Sequence, residues 1–193
     1  MHGLVAVDWI LTGVFVVLVL PCVLRLTRLD YIRLGRTVRN GDLAELLFVV
    51  AMIAMFSPVG GPIPAAGWQA VLVLVTGWSG LAWWRARREH GGGVHDHPAC
   101  GHHAVSAVVM LYLVTAMPHG SGTHGPWLNM STMDFSAGAA WPVLIAAAAY
   151  FVVDAVLTAI RALRPGDVEG RTSRAVCRGV MGLGMGYMLI AAL

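Results

Sequence analysis

AVDWILTGVFVVLVLPCVLRLTRLDYIRLGRTVR, residues 6–39, is an apolar run that stops abruptly at a cluster of arginines. Asp8 is the only formal charge before Leu24, and then Arg25, Arg28, Arg33, Arg36 and Arg39 follow in quick succession. A helix needs about 20 mostly apolar residues to cross the hydrocarbon of a bilayer. Basic residues gather in the loops that face the cytoplasm. The stretch therefore predicts a helix spanning a membrane over 6–24, running inward from the outside and ending in a cytoplasmic loop.

The rest of the chain repeats this arrangement. Of its 193 residues 58% are hydrophobic and 12% are charged, about half the charge a soluble domain carries. All the basic residues are arginine, in three patches at 25–39, 85–88 and 161–178. Apolar segments predict spans at roughly 6–24, 43–59, 66–84, 103–118, 137–160 and 174–192. The segment at 43–59 is short and contains Glu45, but it must cross if the arginines at 25–39 and 85–88 are to lie on one side. The expectation is an all-α, polytopic transmembrane bundle of six helices, one membrane domain over 1–193, in the plasma membrane with both termini outside. Loops 25–42, 85–102 and 161–173 are then cytoplasmic, and the outer loops 58–65 and 119–136 contain no lysine or arginine. Trp9, Trp68, Trp127 and Trp141 fall near the outer interface and Trp83 and Trp84 near the inner one, where amphipathic rings prefer to lie.

MHGLVAVDW, ahead of the first apolar run, has no positive n-region, so no secretory signal is expected. LVLPC at 18–22 is only loosely like a lipoprotein cleavage site, since Pro21 stands where a small residue is required. Cys22, Cys100 and Cys177 each lie near an arginine patch. On the reducing side of the membrane they are expected as thiols rather than as a disulfide.

Three of the expected helices align without gaps: ELLFVVAMIAM (45–55), HAVSAVVMLYL (103–113) and RGVMGLGMGYM (178–188). The rows are Glu45, His103, Arg178; Phe48, Ser106, Met181; Met52, Met110, Met185; and Met55, Leu113, Met188. Offsets of 0, 3, 7 and 10 share one helical face. Three pseudo-repeated helical hairpins would give this pattern, with ionic groups at the cytoplasmic mouth and methionines deeper.

A histidine leading into a helix with methionine seven residues on, as in HHAVSAVVMLYL (102–113), resembles a family of small actinobacterial integral membrane proteins defined only as a domain of unknown function. The resemblance covers nearly the whole chain and implies helices of the type His-x-x-Met-x-x-x-Met-x-x-Met. His103, Met110, Met52, Met55, Met181, Met185 and Met188 match it. Glu45 and Arg178 stand where histidine would, and Ser106 and Leu113 replace methionines. It implies a fold, not an activity.

Two groups of residues could bind a metal. HDHPACGHH (95–103) brings together His95, His97, Cys100, His102 and His103, and imidazole and thiolate suit zinc, copper and nickel. Beneath it Met52, Met110, Met181 and Met185 offer thioethers, which suit Cu(I), although methionine is also an ordinary core filler. With Glu45 these residues form the candidate metal site, for a copper ion. The competing expectation is a solvated histidine-rich turn above a packed core. Asp154 is placed to pair with Arg178 or to hydrogen-bond His103, and Gly182-x-x-x-Gly186 permits a close helix contact.

No phosphate-binding loop, nucleophile elbow or paired-carboxylate site is present, so a binding or transport role for Cu(I) is expected rather than an enzyme. The alternative is a structural or accessory subunit of a larger membrane complex, with no metal. The expected partners are the bilayer, a second copy or a complex subunit, and no nucleic acid.

Overall fold

A computed structural model describes residues 2–57, 63–89, 98–116, 141–162 and 171–191. Over its described residues each of the six apolar segments falls on a helix, apart from Ser57: α1 (His2–Arg28), α3 (Arg36–Phe56), α4 (Ala65–Glu89), α5 (Pro98–Ala116), α6 (Trp141–Ala162) and α7 (Arg171–Ala191). A single turn, α2 (Tyr31–Leu34), precedes α3. No strand occurs among the described residues.

The helices outrun the apolar segments at their polar ends, because arginine is a good helix former. The expected loop 25–42 is largely helical, broken only around Asp30 and Gly35. Asp30 caps α2 by accepting a hydrogen bond from the Ile32 amide at 3.0 Å, and Gly35 takes φ +87° and ψ 160°, a region open in practice only to glycine. The expected loop 85–102 is also shorter than anticipated. α5 begins at Pro98, a residue suited to a first helical turn, so Cys100 and His102 are helical rather than in a loop.

Two helices are long and apolar enough to cross a membrane, over Ala6–Arg28 and Trp141–Ile160. Ala66–Leu81 and His102–Thr115 are shorter apolar stretches. The surface of α1 and α6 is apolar: Ile10, Val17 and Leu20 on the first, and Val143, Val153 and Val156 on the second, are exposed, while Arg25, Asp42, Glu45 and Asp154 are buried. Thr12, Thr76 and Thr115 donate their hydroxyls to the carbonyls of Asp8, Leu72 and Leu111, four residues back in their own helices, so these groups need no water. The rings of Trp9, Trp84 and Trp141 are exposed, and the Arg88 guanidinium lies 3.8 Å above the Trp84 ring centroid. Trp68, expected at an interface, is instead buried.

The chain divides into two compact units, 1–61 with 129–193, and 62–128. In the first, α1, α2, α3, α6 and α7 pack together; in the second, α4 packs on α5. Within the first unit Arg25 meets Glu45 while Phe15 stacks on Phe56 at 5.6 Å, so α1 and α3 run antiparallel. Cys22 meets Cys177 while Phe15 reaches Gly184, so α7 is antiparallel to α1 as well, and therefore parallel to α3. Glu45 and Cys177 share one level, and Met52 and Gly184 the next.

The glycines of α7 are where side chains of other helices come closest. A Cβ on Gly182 would stand 3.3 Å from the Phe151 carbonyl oxygen, and one on Gly186 3.8 Å from Val152 Cγ2, so this pair packs α7 against α6. A Cβ on Gly184 would stand 2.7 Å from Phe15 Cζ and 2.8 Å from Met52 Cε, both on fully buried residues. Gly184→Ala is expected to lower stability by about 1–3 kcal/mol through overpacking, read as a lower thermal midpoint in detergent. Gly13→Ala, where an added Cβ meets nothing within 4 Å, should leave the midpoint unchanged or raise it.

Candidate functional site

Three helices of the first unit each present a pair of functional side chains at i, i+3 spacing, which places both members on one face. On α1 the pair is Cys22 and Arg25, on α3 Asp42 and Glu45, and on α7 Arg174 and Cys177. The antiparallel packing of α1 on the other two brings all six together, with Tyr31 of α2 beside them.

Arg25 stands at the centre. It is 5% exposed. Its Nη2 donates to Glu45 Oε2 and lies 3.6 Å from Cys22 Sγ, while Nη1 is 3.9 Å from Asp42 Oδ1. Asp42 is held from two further sides. Arg174 grips it in bidentate fashion, Nε to Oδ1 at 2.8 Å and Nη2 to Oδ2 at 3.0 Å, and the Tyr31 hydroxyl donates to Oδ2 at 2.8 Å. Two guanidiniums thus meet two carboxylates, and the cluster is neutral overall. That balance matters, because an ion taken out of water costs several kcal/mol unless partners compensate it. A second bidentate pair joins α7 to α6: Arg178 Nε and Nη2 donate to the Asp154 carboxylate at 2.9 and 2.5 Å.

Next to the ions, Cys22 and Cys177 face each other with their sulfurs 3.6 Å apart, both free thiols and both inaccessible to solvent. Farther along α3 and α7 lie buried Phe48, Met52, Met55, Met181, Met185 and Met188. The interior of this unit therefore grades from guanidinium and carboxylate, through thiol, to thioether and aromatic ring.

Two groups at the polar end have displaced ionisation. Burial alone would raise the Asp42 carboxyl, but hydrogen bonds from Arg174 and Tyr31 and the charges of Arg174 and Arg25 outweigh it and hold the group below the usual carboxylate range. Burial, and then the hydrogen bond to Asp42, pushes the Tyr31 phenol up to about 12.

Residues 37–192 match the profile of DUF5134, a domain of unknown function. The chain belongs to this family. No curated protein and no solved structure matches it. The DUF5134 match takes in Asp42, Glu45, Arg174 and Cys177, whereas α1, with Cys22 and Arg25, precedes the matched residues.

The residues expected to bind metal are distributed over both units. Glu45 belongs to the ion cluster, with Met52, Met181 and Met185 buried beyond it in the first unit. His102, His103 and Met110 lie on α5 in the second. There His102 rather than His103 is fully buried, along with Ser106 and Met110, and the two imidazole rings meet edge-on with centroids 5.8 Å apart. His95 and His97 lie outside the described residues, as does the side chain of Cys100. Among the described residues no group of three or more His, Cys, Asp or Glu is arranged to hold a metal ion.

Sequence reasoning gave Asp154 either Arg178 or His103 as its partner, of which the structure has Arg178, and missed Arg25, Asp42, Arg174, Cys22 and Cys177 as a cluster. A signal was available: Cys-x-x-Arg at 22–25 is mirrored by Arg-x-x-Cys at 174–177, each at the polar end of an apolar segment. Read in opposite directions along antiparallel helices, the two motifs stack like on like.

Asp42→Asn is expected to cost about 3 kcal/mol, since it leaves Arg25 and Arg174 short of a counter-charge in a largely buried place; thermal unfolding in detergent measures it. The pH dependence has two arms. The contribution of Asp42 is complete above the ordinary carboxylate value of about 4 and is lost as pH falls through its lower folded value. That of Tyr31 is complete below about 10 and is lost as pH rises through about 12. In an ultraviolet titration the phenol ionising near 12 should vanish in Tyr31→Phe and move down in Asp42→Asn.

Proposed function

We propose that this DUF5134 protein is a polytopic membrane protein of six spans, formed by α1, α3, α4, α5, α6 and α7, with its arginine-rich loops in the cytoplasm and both termini outside. The observation that carries this reading is the inversion of polarity: α1 and α6 expose valine, leucine and isoleucine while Arg25, Asp42, Glu45 and Asp154 are buried. In water that arrangement would forfeit both burial of apolar surface and solvation of charge; in lipid it satisfies both. The parallel run of α3 and α7 and the common levels along them support pseudo-repeated hairpins.

Within that frame the function the interior favours is binding or passage of a soft cation, Cu(I). Buried thioethers of Met52, Met181 and Met185 follow the thiols and Glu45 along the first unit, and sulfur donors suit Cu(I) better than harder ions. Met110, His102 and His103 on α5, and His95, His97 and Cys100 ahead of them, are the remaining donors of this proposal. An accessory role in a larger membrane complex is favoured by a different observation, the neutral ion cluster that ties three helices together without a free charge for a ligand.

Cysteine-accessibility mapping in intact cells is expected to label single cysteines placed in 119–136 from outside and those placed in 85–97 only after permeabilisation; the opposite pattern removes the topology. Elemental analysis of detergent-purified protein is expected to find copper in wild type and less in Met52→Leu/Met185→Leu. No metal above background, with a stoichiometric protein partner instead, decides for the accessory role.

A further inference from the structure

Cys22 and Cys177 are 155 positions apart in sequence, yet their sulfurs are in van der Waals contact at 3.6 Å. Nothing in the ion cluster requires thiols there, and alanine or serine would fill the same place between α1 and α7. Two features of the surroundings bear on what the thiols can do. The first is Arg25, whose Nη2 lies 3.6 Å from the Cys22 sulfur. A cationic neighbour favours thiolate over thiol, and the thiolate is the nucleophile. The second is the lack of a metal-holding arrangement: among the described residues no group of three or more His, Cys, Asp or Glu is arranged to hold a metal ion. Zinc with thiolates takes four ligands at about 2.3 Å, and two sulfurs supply only half of that set. A disulfide needs no third group. It asks only that two sulfurs already in contact close to about 2.05 Å.

We infer that Cys22 and Cys177 form a thiol–disulfide exchange centre whose substrate is a small, neutral disulfide. Cys22, beside Arg25, is the attacking sulfur. Its thiolate displaces one thiolate from the small disulfide, giving a mixed disulfide on Cys22. The Cys177 sulfur then attacks the Cys22 sulfur and expels the second half, and its proton leaves with the expelled thiolate. The two protein thiols lose two electrons and two protons, and one small disulfide becomes two small thiols. The product links α1 to α7 covalently beside Arg25. In a reducing compartment the pair rests as dithiol, the state seen here, and an oxidising pulse converts it. The pair is fully buried, so the substrate must be small and uncharged. At the polar end of the cluster the Arg174 side chain is 26% exposed.

The test uses the full chain in detergent, as wild type and as Cys100→Ser, exposed to 2-hydroxyethyl disulfide, then denatured, alkylated and digested with trypsin without reductant. The expected product is peptide 1–25 joined to peptide 175–178, two hydrogens lighter than the sum and separated by reduction, in both proteins. Folded protein should form it on the order of tenfold or more faster than protein unfolded in dodecyl sulfate, because the sulfurs are held together. In Cys177→Ser the mixed disulfide on Cys22 should persist. A linked peptide that never forms in folded protein, one that forms no faster than in unfolded protein, or thiols that stay unreactive because they retain a metal would each overturn the inference. The last of these outcomes would strengthen the metal reading above, so the two proposals fail separately.

Discussion

Arg25 is the constraint on which the first unit depends. A guanidinium buried among apolar helices cannot be left without anions, and it cannot shed its charge. Glu45 and Asp42 on α3 answer it, and Asp42 then requires a second cation, which Arg174 on α7 provides. The three helices are thereby fixed in depth and rotation relative to one another, since a shift of one turn would leave each charge without its partner. Contacts between apolar side chains tolerate such a slip far better. In lipid, where side chains gain little by turning away from the surroundings, polar pairs of this kind define helix register.

Everything else in that unit follows from this register. Cys22 is brought to Cys177 because each lies three residues from the arginine of its own helix. Phe15 is brought to Gly184, and the missing side chain at that glycine is what lets the ring and Met52 reach the α7 backbone. On the other side of α7, Gly182 and Gly186 admit α6, and Arg178 and Asp154 close that contact with a bidentate pair. Ion pairs set the level and glycines set the distance. Methionine and phenylalanine fill what remains.

The chemical consequence is a core in which functional groups are sorted by depth. Charges sit at one end, thiols beside them, and thioethers beyond. Such sorting suits soft-cation passage, and it equally suits a thiol pair whose reactivity is set by an adjacent guanidinium. The first use centres on the thioethers of Met52, Met181 and Met185, and the second on the sulfurs of Cys22 and Cys177.

Helical class, the six apolar segments and the buried methionines were legible in the amino-acid sequence, because apolar stretches and helical faces are local properties that periodicity and hydropathy record directly. The partner of Asp154 was legible as far as a choice between Arg178 and His103, since a charge inside an apolar segment has few possible partners. The helix ends were not, because arginine carries α1, α4 and α7 past the point where hydropathy ends them, and because Pro98 opens α5 early, so that Cys100 and His102 fell on α5 instead of in a loop. Nor was the cluster of Arg25, Asp42, Glu45, Arg174 and the two cysteines. Its members come from three helices up to 155 positions apart, and only the antiparallel packing of α1 against α3 and α7 makes the mirrored Cys-x-x-Arg and Arg-x-x-Cys motifs meet. The sequence by itself determined which faces are apolar and which residues carry charge or sulfur. The tertiary structure decided which of them touch, since contact between distant helices depends on packing and register that no local pattern encodes.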